Sequence, residues 1–255
     1  MLKNKKINVK SKAEIEKMIE GGKKLARIKR ELRKNVKEGV RASEIENLAN
    51  KLIEKEGGKP SFKMVEGYEW ATCVNVNDGV VHGIPGDIVF KKGDIVSVDS
   101  GMFFKGFHTD TSFTVFLGTD SQTEEFLSVG KLALKKGISK AQSGLKVYDI
   151  SEAIEAVLKK HGLSPVRALV GHGIGKELHE EPQIPCFTSG KRASSPTLPE
   201  NAALAIEVMY SKGGGNVKLA SDGWTIVTSD GTISALFEET VLVAKNGPLV
   251  LTNWV

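Results

Sequence analysis

The stretch GDIVSVDSGMFFKGFHTDTSFTVFLG, residues 93–118, carries two runs rich in β-branched and aromatic residues on either side of Lys105-Gly106. The runs read as strands and the glycine-bearing dipeptide as the turn that joins them. A hairpin closed there brings Asp99 and Asp110, 11 residues apart, nearly opposite each other across the two strands. Two carboxylates side by side on a buried sheet repel, so each needs a proton, a basic partner or a metal ion. Taken alone, the pair also fits a surface turn and a hairpin edge.

The rest of the chain repeats this plan. Ser11 with Glu14, and Ser43 with Glu46, read as capping boxes that open two amphipathic helices, the second stopped by Gly57-Gly58. A second pair of helices is predicted at about 123–141 and 147–160. At a constant offset of 105 residues, Gly39-Val40 matches Gly144-Leu145, Ile45 matches Ile150, and Gly57 matches Gly162. Strand-like runs follow each pair, and the second half supplies AALAIE (202–207) and ETVLV (239–243). Chance similarity among helix-rich stretches is the alternative. The pattern predicts a tandem α+β duplication around one sheet, a single catalytic domain over 1–255 with pseudo-repeats at about 11–120 and 121–245 behind a basic segment, 1–10.

Each half then offers two acids at corresponding places: Asp99 and Asp110 in the first, Glu207 and Glu238 in the second. A pseudo-two-fold axis gathers all four. Their combined charge balances two divalent cations, with a neutral imidazole as a fifth ligand. Oxygen-rich ligation with one histidine suits Mn, Fe(II), Co or Zn, and paired metals commonly activate water for hydrolysis. Three of the five histidines, His82, His172 and His179, lie in or beside the glycine-rich segments VHGIP (81–85) and GHGIGKELHEEP (171–182). His161 reads as a solvated helix end, and His108 lacks such a setting.

Other chemistries are excluded by spacing. The glycines at 171, 173 and 175 match neither the dinucleotide fingerprint nor the P-loop. The chain has no HExxH and no GxSxG. Cys73 and Cys186 are its only cysteines, which supports neither a disulfide framework nor a zinc finger. No apolar run reaches membrane-spanning length, and the N-terminus lacks the apolar region of a secretory signal, so the expected location is cytoplasmic. The net charge of +5 is unevenly placed: residues 1–40 hold 14 Lys/Arg against 5 Glu, so the remaining body is mildly acidic. The basic front end reads as a solvated helix face, and alternatively as a surface for transient, salt-sensitive contact with ribosomal RNA.

The ordered set VVHGIPGD (80–87), GDIVSVDSG (93–101), GFHTDTSFTV (106–115), GHGIGKELHEEPQIP (171–185), LAIEVM (204–209), DGWTIVTSDGTISALFEETVLV (222–243) and NGPLVLT (246–252) resembles the type I methionine aminopeptidases of the peptidase M24 family. That resemblance implies the pita-bread fold, two pseudo-symmetric halves of paired helices around a curved antiparallel sheet. It implies Asp99, Asp110, His172, Glu207 and Glu238 as ligands of two divalent metal ions. It further implies removal of the initiator methionine from nascent polypeptide N-termini with a small second residue, by attack of a metal-bridging water. Glu207 would relay the proton, His179 would stabilise the oxyanion, and His82 would bond near the scissile amide. Tyr68, Cys73 and Trp224 would line the methionine pocket, and the protein would be a monomer.

Four departures from the family pattern stand out. Val208 follows Glu207 where proline is usual, Glu239 follows Glu238 where histidine is common, Leu178 replaces an aromatic, and the 67–70 loop is shortened with Glu69 in a histidine's place. Leu178 and that loop leave a metal aminopeptidase of altered N-terminal preference as one alternative. A non-catalytic pita-bread binding protein is the other, although such proteins typically lose the ligands that are all retained here.

Overall fold

A computed structural model describes residues 6–253. Helix α1 spans Lys12–Asn35, and its N-terminus is closed as expected, with the Ser11 and Glu14 side chains bonded reciprocally. Helix α2, Ala42–Lys55, begins two residues earlier than a cap at Ser43 predicts. Its cap is Arg41, whose N–H donates to the Glu44 carboxylate at 3.0 Å. Ser43 is therefore inside the helix, and Glu46 is freed for another task. It is buried and accepts the N–H groups of Ala71 and Thr72 at 2.8 and 3.0 Å, together with the Thr72 hydroxyl at 2.8 Å.

Strands β1 (Thr72–Val76) and β2 (Gly79–Val81) follow, then the long hairpin β3 (Ile95–Phe104) and β4 (Phe107–Phe116). Lys105 and Gly106 turn it with φ of 49° and 90°, a consecutive left-handed pair that matches the twist of a two-residue hairpin. Helix α3, Ser121–Ile138, is capped by Asp120, and α4 spans Val147–Lys160. Helices α2 and α4 are thus related by the predicted offset of 105 at both ends. Gly39 and Gly144 precede them and Gly57 and Gly162 follow them, all four at positive φ.

The second half adds β5 (Val170–Gly173), β6 (Glu180–Pro185), β7 (Ala203–Ser211), β8 (Val217–Leu219), β9 (Ile226–Thr228) and β10 (Ser234–Leu242). The main sheet runs β3-β4-β10-β7-β5-β6, with β1 also paired to β3, and all these pairs are antiparallel. The β3–β4 hairpin and the β7–β10 pair meet at the β4–β10 seam. Strands β8, β9 and β2 form a separate small sheet. Buried Leu25, Ile28, Leu32, Ile45 and Ile53 pack α1 and α2 with residues of β3 and β4, including Val96, Val98 and Phe113. Ile150, Ile154 and Leu158 of α4 share a core with Phe126 and Leu134 of α3 and with Met209, Tyr210 and Leu236 of the second half. The helices thereby cover one side of the sheet and leave the other for the site.

The basic front end is not a uniformly solvated face. Lys10 and Lys29 are buried and paired, Lys10 with Glu180 and Lys29 with Glu239, each at 2.6 Å. Lys24 and Arg27 both bind Glu56, at 3.1 and 2.8 Å. Half of the basic segment 1–10 lies outside the described residues.

Candidate metal centre

Register brings the acids together in two adjacent rows. Cys73 pairs with Asp99, Asp99 with Ser112, Ser112 with Glu238, and Glu238 with Glu207, one line across β1, β3, β4, β10 and β7. Directly opposed residues of antiparallel strands share a face, so the three acids of this row project together. Two residues along, Asp110 pairs with Gly101, while Ala205 pairs with both Thr240 and His172. Asp110 and Thr240 are joined across the seam, since the Thr240 hydroxyl accepts the Asp110 N–H at 2.8 Å and donates to its carbonyl at 2.7 Å. Asp99 and Asp110 are therefore diagonal neighbours, not opposite one another as the hairpin alone suggested. Asp110 faces Gly101, whose missing side chain makes room for Ser61 and Phe62: a Cβ there would lie 2.8 Å from Ser61 Cβ.

Ligand atoms of Asp110, His172 and Glu238 lie within 4.8 Å of one another, and all three residues are buried. Asp99 and Glu207 border the same cavity but lie outside that tight group. Burial and the neighbouring charges of Asp110 and Glu207 push the Asp99 carboxyl well above the usual range. Glu238 is raised in the same way, by burial and then by Asp110, Asp99 and Glu207. Burial lifts Asp110 to about 7, and burial with the Asp110 charge lifts Glu207 to about 8. His172 is depressed to about 4, chiefly by burial, so it is a neutral imidazole near pH 7. Asp99 Oδ1 is shielded from solvent with no hydrogen-bond partner. Four mutually repelling carboxylates, one orphaned oxygen and a neutral imidazole form a donor set that fits divalent cations.

Beside the acids is a cavity of about 150 Å³ walled by Phe62, Val65, Tyr68, Cys73, Val81, Leu178 and Trp224. Tyr68 stands edge-on to Trp224 at 5.1 Å and to Trp70 at 5.2 Å, and its hydroxyl lies 3.2 Å from Cys73 Sγ. Burial pushes the Cys73 thiol up, so this wall is neutral. The cavity shares Val81, His82, His172, His179 and Glu207 with an outer cleft of about 730 Å³. His82 and His179 are exposed at that shared mouth, and the His179 ring stands edge-on to His172 at 4.5 Å. His82 has a φ of 58°, a strained value for a residue with a side chain and one concentrated at functional sites. The main-chain carbonyl of Glu207 accepts the Cys186 thiol at 3.1 Å.

Residues 16–245 match Metallopeptidase family M24. The chain belongs to this family. It is 40% identical to the methionine aminopeptidase of Clostridium perfringens over 96% of this chain and 98% of that one. The same identity relates it to methionine aminopeptidase 1 of Bacillus subtilis, over 92% of this chain and 95% of the relative. The crystal structure of the methionine aminopeptidase of Thermotoga maritima covers 98% of this chain and 100% of its own, with a TM-score of 0.94 at 41% identity. Prolidase from Pyrococcus furiosus, at 21% identity and a TM-score of 0.77, matches 97% of this chain with 66% of its own and shares the fold alone. The architecture is accordingly the pita-bread fold expected for a family M24 enzyme.

Within this M24 fold every sequence-predicted site residue comes to the same region: Asp99, Asp110, His172, Glu207 and Glu238 on the sheet, His82 and His179 at the mouth, and Tyr68, Cys73 and Trp224 in the cavity wall. Sequence reasoning missed Phe62, Val65 and Val81, which share that wall. Phe62 sits in a short 3₁₀ turn with no motif of its own, and only its fit over Gly101 reveals it. His108, set aside in the sequence, is structural: it is buried with Nδ1 2.9 Å from Ser61 Oγ. His161 is exposed at the end of α4.

Proposed function

We propose that the protein removes the N-terminal methionine from polypeptides with a small second residue, in a metal-dependent hydrolysis. The observation that carries this reading is the apolar cavity set directly against the row of acids. An aromatic, aliphatic and thiol wall suits a flexible thioether, while the adjoining carboxylates and mouth fix where the peptide bond would lie. Asp99, Asp110, His172, Glu207 and Glu238 would hold two divalent ions, which supply Lewis acidity and a nucleophilic water when bound. Co, Mn, Fe(II) and Zn all suit such a ligand set.

The remaining work falls to the chain itself. Glu207 borders both the cavity and the cleft, and its raised pKa suits a group that takes a proton from water and returns it to the leaving amine. His179 donates to the carbonyl oxygen as charge develops there. His82 bonds the scissile amide and orients the residue that follows. Because ligands come from both halves, residues 6–253 act as one catalytic unit. Nascent chains are the natural substrates of such an activity, and exposed cations of α1 such as Lys12, Lys17 and Lys23 would serve a transient ribosomal contact.

The test compares Met-Ala-Ser, Ala-Ala-Ser and Met-Leu-Ser peptides with added divalent metal and then with chelator. Chelator-sensitive cleavage confined to Met-Ala-Ser is expected. Chelator-insensitive cleavage, or indifference to methionine, overturns the reading. Leu178 in the cavity wall motivates one further arm, since faster release of another large apolar residue would assign an altered preference. Ribosome co-sedimentation that is unchanged after charge reversal on α1 would discard the ribosomal contact.

A further inference from the structure

Glu239 takes no part in the chemistry above. It follows Glu238 directly, and side chains alternate along a strand, so it projects from the opposite side of the sheet. There it meets Lys29 of α1, whose Nζ lies 2.6 Å from Glu239 Oε1 and 2.7 Å from Thr111 Oγ1. Lys29 is only 2% exposed. Thr111 follows Asp110 in the chain just as Glu239 follows Glu238, and the two are register partners across the β4–β10 seam. The Thr111 hydroxyl also lies 2.9 Å from the Glu238 carbonyl, and Thr252 donates its hydroxyl to Glu239 Oε2 at 2.5 Å.

The seam needs such help. Two register pairs join β4 to β10, against nine between β7 and β10 and ten within the β3–β4 hairpin. Threonine hydroxyls substitute for part of the missing ladder: Thr240 brackets the Asp110 backbone, and Thr114 accepts from Leu236 N–H at 3.1 Å while donating to its carbonyl at 2.6 Å. Asp110 and Glu238, two acids of the tight cluster, stand on opposite sides of this thinly laced line.

We propose that Lys29 is a positioning residue for the metal centre: by gripping Thr111 and Glu239 from behind the sheet, it sets the separation of Asp110 and Glu238 across the seam. A buried ammonium bonded to the chain neighbours of two ligands, one from each half, is costly as packing alone but effective as a clamp. This inference rests on the metal-binding reading of the site. A purely structural pair would instead neutralise Glu239 and do nothing for the ligands in front of it.

The test measures Mn²⁺ affinity by calorimetry and the melting temperature of the metal-free full chain, for wild type, Lys29→Met and the double variant Lys29→Met with Glu239→Gln. The double variant removes the clamp without stranding a charge, so it decides the question even if Lys29→Met fails to fold. A double variant that melts near the wild-type temperature but binds Mn²⁺ about tenfold more weakly, as for other outer-shell partners of a metal site, is the expected result. Wild-type Mn²⁺ affinity in the double variant overturns the proposal alone. A wild-type chain that binds no divalent ion overturns the metal-centre reading and this proposal together.

Discussion

Glu207 and Glu238 are direct register partners on β7 and β10, two carboxylates opposed on one face of the sheet. Like charges in that arrangement destabilise a ladder, and here Asp99 and Asp110 add to the repulsion. The sheet carries an electrostatic cost that protons or a cation can relieve, and this has consequences that can be measured.

The first concerns pH. Glu207 at about 8 and Asp110 at about 7 lie above their unfolded values, so the folded metal-free chain holds protons that the unfolded chain has released. Its stability therefore falls as pH rises through that range, and recovers as pH is lowered toward about 6.5. Below about 6.5, the ordinary pKa of histidine, the trend weakens, because His172 is depressed and the unfolded chain takes up that proton first. Melting temperatures in chelator at pH 6.5, 7.5 and 8.5 should decline with pH, and added Mn²⁺ should flatten the decline. A flat metal-free profile would contradict the assignment.

Asp99→Asn should move two quantities in opposite directions. Losing a repelled carboxylate with an orphaned oxygen should raise the melting temperature of the metal-free protein. Metal affinity should drop by more than the roughly 10–100-fold typical of outer-shell changes, because a direct ligand is lost. Unchanged metal content with full activity would refute the ligand role.

His179→Ala should leave metal content intact and lower turnover by about 10²–10³, the usual effect of removing an oxyanion donor. Steady-state kinetics separates the outcomes, since a change limited to KM would reassign His179 to substrate binding.

Glu46→Ala should destabilise the fold by about 2–4 kcal/mol without touching the metal centre. It would strand the buried N–H groups of Ala71 and Thr72, each an unsatisfied donor. Urea denaturation reads the loss. Glu155 on α4 binds the Thr188 N–H and hydroxyl at 3.0 and 2.6 Å in a comparable way, so the second half offers a matched control.

The case of Glu46 also shows where local reading ends. Ser43 and Glu46 have the spacing of a capping box, and so do the residues that cap α1. Tertiary contact made the difference: the N–H groups of Ala71 and Thr72 took the Glu46 carboxylate, and Glu44 accepts the N–H of the Arg41 cap instead. The halves themselves were legible because glycines at positive φ and buried helix residues recur at one offset, and both are local necessities. Phe62 was not legible, since its place depends on a glycine 39 residues away.

Residue types and spacing by themselves determined the paired-helix repeat, the hairpin turn at Lys105-Gly106 and the set of acids, because each depends on neighbours in the chain or on symmetry between the halves. Only the tertiary structure decided that Asp99 and Asp110 stand diagonally, that Glu207 and Glu238 face each other, and that Lys29 answers Glu239. Those relationships depend on strand register and on which helix covers which side of the sheet, and both are set by contacts between residues far apart in the chain.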